Sequence, residues 1–144
     1  MNLDKVDCSF LESLVGYNVR RAWLSILNVF FQRMAVHGLR PVDFSVLSLV
    51  QRNPGITSRQ ICTALGLLPP NLVPMIGALE KRQLLRRTRH SADGRAMSLY
   101  LTGEGEALTQ TAETCAMQLE IDATSGLSEA ERSQLKALLQ KIYR

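Results

Sequence analysis

The sequence predicts a mainly helical chain with one small β-hairpin wing, in the order α-α-α-α-β-β-α-α, and three observations predict it. Apolar residues recur at three- and four-residue spacing through most of the chain. Ser/Thr starts, Gly and Pro stops divide that pattern into short helices. Only the stretch around Asp93-Gly94 carries a tight hairpin signal between strand-like runs. At 144 residues, 46% hydrophobic and 21% charged, the chain has the size of one globular unit that buries a core without disulfide staples.

Each element follows from its residues. Leu11, Leu14, Val15, Val19, Ala22, Ile26, Val29 and Phe30 line one face of a first helix expected from Cys8 to Met34. Its length exceeds what one small core covers, so part of it is expected to pack on something else. After the Gly38 to Pro41 break, a second helix spans Val42 to Arg52 and stops at Asn53, Pro54 and Gly55. Thr57 with Gln60 matches a capping box that opens a third helix, which ends at Gly66. A fourth starts at Pro69 and Pro70, where a missing N–H costs nothing, and carries Leu72, Ile76 and Leu79 on one face. Pro74, one turn on, is expected to kink or delay it.

Strands Leu84 to Arg89 and Ala96 to Leu101 flank Ser91 to Arg95. Thr102 then caps a fifth helix with Leu108, Ala112, Cys115 and Leu119 in line. Ser128 and Glu131 open a sixth with Leu135, Leu138 and Ile142 as its stripe. Helix, glycine turn and helix followed by a hairpin make a winged helix-turn-helix between long terminal helices. The expected division places residues 42–101 in that region, residues 8–36 and 102–144 in a helical dimerisation region, and all 144 in one chain unit.

Charge narrows the function. Seventeen Lys and Arg against thirteen Asp and Glu give +4, but residues 52–100 hold eight cations against two acids, while the last 44 residues hold four against seven. A basic middle third is the footprint of a polyanion partner. From Lys81 and Arg82 through Arg86, Arg87, Arg89 and Arg95, six cations face one carboxylate, directly after the helix-turn-helix. Phosphates demand such charges, so double-stranded DNA is the expected partner.

Other classes fall away. Cys8, Cys62 and Cys115 form no pair motif, and His37 and His90 stand far apart, so neither a disulfide framework nor a metal or other cofactor site is read here. The uncharged run Gln60 to Leu79 is broken by three prolines and two glycines and is not a membrane span. The N-terminus, with Asp4, Lys5 and Asp7, has no signal-peptide pattern, and a cytoplasmic location is expected. Gly103-Glu-Gly105 lacks the third glycine and the βαβ context of a dinucleotide motif. No nucleophile, metal-hydrolase or paired-carboxylate pattern appears, so no enzyme is expected.

Asp93-Gly94-Arg95, then Leu101-Thr102 and Gly105, looks like the wing signature of the MarR family of bacterial transcriptional regulators. Leu79 to Arg82 with Leu84 resembles the end of its recognition helix, and Leu14 to Ala22, with Gly16-Tyr17 and Arg20-Arg21, its first helix. The resemblance implies a repressor whose first, fifth and sixth helices intertwine in a homodimer that binds a near-palindromic operator. It implies that Arg95 enters the minor groove, in keeping with the negative potential of a narrow groove, and that Asp93 positions that arginine or the wing backbone.

DNA-contact candidates are Ser58, Arg59, Pro70, Asn71, Pro74, Arg87, Arg89, His90, Asp93 and Arg95. The fourth helix departs from the family pattern: Leu68, Pro69, Pro70, Asn71, Val73 and Pro74 offer no arginine for a guanine. Asn71 suits an adenine, and Pro70 and Pro74 suit thymine methyls. The resemblance also implies release by a small aromatic acid, phenolic compound or thioester held between the dimer helices and the winged region. Tyr17, Arg20, Arg21, Trp23 and Phe44 are the candidates for it. Two alternatives stay open. One is a cysteine-based redox repressor using Cys8, since Gly16 stands where a redox branch of the family has its cysteine. The other is a winged-helix protein-interaction module, against which the basic middle third argues.

Overall fold

The computed structural model describes residues 5–89 and 96–144. A short helix α1 (Ser9–Glu12) precedes α2 (Val15–Met34), a 3-10 turn (Ala35–His37) and α3 (Pro41–Arg52). Strand β1 (Ile56–Thr57) leads into α4 (Ser58–Leu65) and α5 (Pro69–Lys81). Strands β2 (Leu85–Arg89) and β3 (Met97–Leu101) follow, then α6 (Gly103–Ala123) and α7 (Glu129–Tyr143).

The expected single first helix is instead two pieces. Ser13 Oγ donates to Phe10 O at 2.6 Å, and Asn18 Nδ2 donates to Glu12 O and Leu14 O, each at 2.8 Å. These side chains take carbonyls that a continuous helix would use for its own ladder. The second helix begins one residue early, because Pro41 occupies a first-turn position that needs no N–H. Asp43 fixes that start: it accepts from Arg40 N at 3.0 Å and from the Arg40 guanidinium at 3.0 and 3.1 Å.

The hairpin is the larger part of a three-stranded antiparallel sheet in the order β1-β3-β2. Ile56 pairs with Leu99 and Thr57 with Ser98 on one side of β3, and Leu85 with Leu101 through Arg89 with Met97 on the other. Two residues of β1 are too few to show an alternating pattern, so only the pairing with β3 reveals them.

The chain packs as two compact units, Met1–Gln32 with Gln118–Arg144, and Arg33–Met117. The second is built on buried Val46, Leu47, Val50, Ile61, Leu72, Ile76, Leu79, Leu85 and Leu99. Each such side chain contributes about 1.5 to 3 kcal/mol by leaving water. Cys62 joins this core, and Cys115 is half-buried. Within the same unit Glu113 accepts from Ser48 Oγ at 2.7 Å and takes both arms of the Arg52 guanidinium, one of them at 3.0 Å. The Arg52 hydrogen bond is the main reason that the Glu113 carboxyl is held below its ordinary range.

In the first unit, Ser128 and Glu131 form the expected capping box of α7. Arg132 Nε donates to Thr124 Oγ1 at 2.7 Å and closes the turn that precedes it. Helix α7 buries no residue, and Leu135, Leu138 and Ile142 stay exposed. They border a groove of about 770 Å³ whose other wall comes from α2, with Val15, Val19, Trp23 and Ile26.

Candidate nucleic-acid interface

The helix-turn-helix is set by two local devices. Thr57 Oγ1 accepts from Gln60 N at 3.3 Å while Gln60 Oε1 accepts from Thr57 N at 2.9 Å, which starts α4 as the sequence indicates. Gly66, at φ 64°, ends it in the left-handed conformation. Leu68 is then extended, as the residue before a proline prefers, and Pro69 and Pro70 open α5. The two helices diverge by 116° across this three-residue turn, in keeping with the helix-turn-helix geometry.

Helix α5 turns Leu72, Ile76 and Leu79 into the core and leaves Pro70, Asn71, Val73 and Pro74 exposed. Pro74 neither delays nor breaks the helix, which runs unbroken from Pro69 to Lys81. Its missing N–H removes one bond, to the carbonyl of exposed Pro70, where solvent serves instead. The helix ends without a glycine: Gln83 adopts φ 61°, and Leu84 N bonds Leu79 O at 3.0 Å. Thr102 locks the next junction, donating through Oγ1 to Gln83 O at 2.5 Å and accepting from Gly105 N at 3.0 Å.

The basic run divides by what holds each cation. Arg82 donates to Gly38 O and His37 O, both at 2.9 Å, and so anchors the 3-10 turn. Arg86 lies 4.5 Å from the centroid of the Tyr100 ring, its cross-strand partner. Arg87 Nε donates to Glu80 Oε1 at 2.6 Å, and this bond is the main cause raising the Arg87 pKa further. Arg59, Lys81 and Arg89 are exposed with no partner among the described residues. Three fixed cations therefore shape the surface and three free ones are available to phosphates, with Ser58 half-buried at the start of α4. The sequence alone did not separate these groups, because the pairing of Glu80 with Arg87 spans the turn between helix and strand. His90, Asp93 and Arg95 lie outside the described residues.

The effector candidates are placed as follows. On α2, Arg21 Nη1 donates to Tyr17 Oη at 3.1 Å, with the guanidinium 5.9 Å from the ring centroid. Arg20 is exposed, and Trp23, 48% exposed, lines the groove with α7. Phe44 lies half-buried on α3 and belongs to the second unit, whereas the other four belong to the first. Cys8 is half-exposed ahead of α1. Among the described residues no cluster of three or more His, Cys, Asp or Glu side chains suits a metal ion, and no single helix is long and apolar enough to cross a membrane.

Comparison with known proteins settles the class. Residues 37–96 match the model of the MarR family. The solved structure of the transcriptional repressor CouR bound to a 23-mer DNA duplex superposes with a TM-score of 0.91 at 38% identity, covering 97% of this chain and 99% of that one. The chain belongs to the MarR family. It is a MarR-family transcriptional regulator with the winged-helix fold, in a family of regulators and not of enzymes. CouR bound to p-coumaroyl-CoA is similar at 37% identity and a TM-score of 0.86, over 97% and 99% of the two chains. BpsR of Bordetella bronchiseptica, whose DNA binding is regulated by 6-hydroxynicotinic acid, is 27% identical with a TM-score of 0.84, over 90% and 92%.

Proposed function

We propose that this protein is a cytoplasmic, ligand-responsive repressor that binds a near-palindromic operator as a homodimer and releases it on taking up a small aromatic acid or its coenzyme A thioester. The observation that carries this reading is the full-length similarity to a repressor caught on DNA. The chain's own residues support it. Arg59, Lys81 and Arg89 stand free for phosphates around an exposed α5. Among the candidates, Ser58, Arg59, Pro70, Asn71 and Pro74 serve the helix-turn-helix contact, Arg87, Arg89 and His90 the flank of the wing, and Asp93 with Arg95 its minor-groove reach. The apolar groove between α2 and α7 is the surface a second copy covers, since a stripe of Val15, Val19, Leu135, Leu138 and Ile142 is costly to leave in water.

Helices 8–36 and 102–144 would then form the dimerisation region and 42–101 the DNA-binding region. Tyr17, Arg20, Arg21 and Trp23 supply an aromatic surface and positive charge for an anionic aromatic effector, in line with the ligands of CouR and BpsR. A ligand releases DNA only by binding the DNA-incompetent state more tightly, and tenfold release needs about 1.4 kcal/mol of that preference. The test is a mobility shift with the intergenic DNA beside the coding sequence, titrated with p-coumaroyl-CoA and with 6-hydroxynicotinic acid. A shift reversed by either compound is expected; the absence of any shift at micromolar protein would sink the reading.

A further inference from the structure

The exposed face of α5 has a chemistry that its basic surroundings do not explain. Through its first three turns the only side chain with hydrogen-bonding atoms is Asn71. The other exposed residues of these turns are Pro69, Pro70, Val73, Pro74 and Ala78, with Leu68 just ahead, and Val73 and Leu68 are 63% and 68% exposed. Leu72, Ile76 and Leu79 already satisfy the core, so these apolar groups are not spare core residues. The exposed cations without a partner among the described residues stand on other elements or at the helix end: Arg59, Lys81 and Arg89.

A polyanion that matches an apolar strip rimmed by cations must present apolar groups between its phosphates. In the major groove only the thymine C5-methyl does so, whereas reading guanine takes an Arg or Lys fork that the start of α5 lacks. We infer that this regulator recognises an A·T-rich core in each half-site, packing Pro70, Val73 and Pro74 against thymine methyls while Asn71 takes the N6 and N7 edge of an adenine. The inference rests on the proposed reading of α5 as the DNA-contacting helix. Cations around the strip supply affinity that is blind to sequence, so discrimination falls on methyl contacts and on that single amide.

The two readings separate in one experiment with the full-length protein and the intergenic duplex. Replacing thymine by deoxyuridine removes the methyl and leaves every hydrogen-bonding edge in place; replacing guanine by 7-deazaguanine removes the N7 acceptor. Each contacted methyl lost is expected to weaken binding about fourfold, the equivalent of about 0.8 kcal/mol for a buried CH₂-sized group. The 7-deazaguanine duplex should bind like the parent. Val73→Ala, on an exposed position, should narrow the gap between thymine and uracil duplexes and leave the salt dependence unchanged. Uracil duplexes bound as tightly as thymine ones would overturn the inference and leave DNA binding intact, as would a loss of equal size in Val73→Ala and the parent protein. No binding to any of these duplexes would overturn both readings.

Discussion

Gly105→Ala is expected to unseat the junction between the α5 end, the hairpin and α6. Gly105 is buried in the first turn of α6, and a Cβ added there falls 2.1 Å from the Leu84 carbonyl oxygen and 3.0 Å from its carbon. Those are backbone atoms, which cannot swing aside as the end of a side chain does, so Leu84 or α6 has to move by about 1 Å. Three hydrogen bonds hold the same junction: Thr102 N to Leu84 O at 3.0 Å, Thr102 Oγ1 to Gln83 O at 2.5 Å, and Gly105 N to Thr102 Oγ1 at 3.0 Å. Losing them costs about 1 kcal/mol each, or about 3 kcal/mol together. Alanine returns about 1 kcal/mol of helix propensity, for a net loss of about 2 kcal/mol. Urea unfolding followed by far-ultraviolet circular dichroism, at one fixed protein concentration, reads this difference. Gly103→Ala is the control, because a Cβ there meets nothing within 4 Å. If Gly105→Ala unfolds at the same urea concentration as Gly103→Ala, the close-approach argument is wrong.

Acid should weaken the second unit through Glu113. Its folded-state pKa is depressed, chiefly by Arg52, so its contribution is complete above the ordinary glutamate value of about 4.3 and is lost as pH falls through the lower folded value. Glu113→Gln is expected to flatten the decline of stability below about pH 5 in acid titrations, and an unchanged profile would exclude the pair as its source. Glu80→Gln frees Arg87, so DNA affinity should rise and the salt slope steepen by about one, whereas Arg89→Ala should lower the slope by about one. Isothermal binding at several salt concentrations checks both. Trp23 is the sole tryptophan and half-exposed, so p-coumaroyl-CoA bound beside it should change its emission with the same midpoint as operator release. Unmatched midpoints would remove Trp23 from the effector site.

What the sequence disclosed was the part written in local chemistry. Thr57 with Gln60, Gly66, Pro69 with Pro70, and Ser128 with Glu131 each mark an element boundary because a side chain or a special backbone preference satisfies it within a few residues. The break before Val15 was less visible, since Ser13 and Asn18 stop the helix by taking carbonyls and neither is a customary breaker. The two-residue β1 exists only because it meets the distant β3, while Gln83 in the left-handed region and the Glu80–Arg87 pair come from the way the chain turns between α5 and β2, which no customary turn residue marks. For the candidate site, charge pointed to the basic middle third, but it could not say that Arg82 and Arg86 are committed to backbone carbonyls and an aromatic ring.

The proposed regulator is a dimer that holds DNA until a ligand arrives. Sedimentation velocity on a fluorescently labelled intergenic duplex, with protein in slight excess and with or without p-coumaroyl-CoA, measures stoichiometry and release together. Two chains per duplex without ligand, and free duplex beside free dimer with it, is the predicted result. A complex containing one chain, or a two-chain complex that neither this thioester nor 6-hydroxynicotinic acid dissociates at saturating concentration, would contradict it.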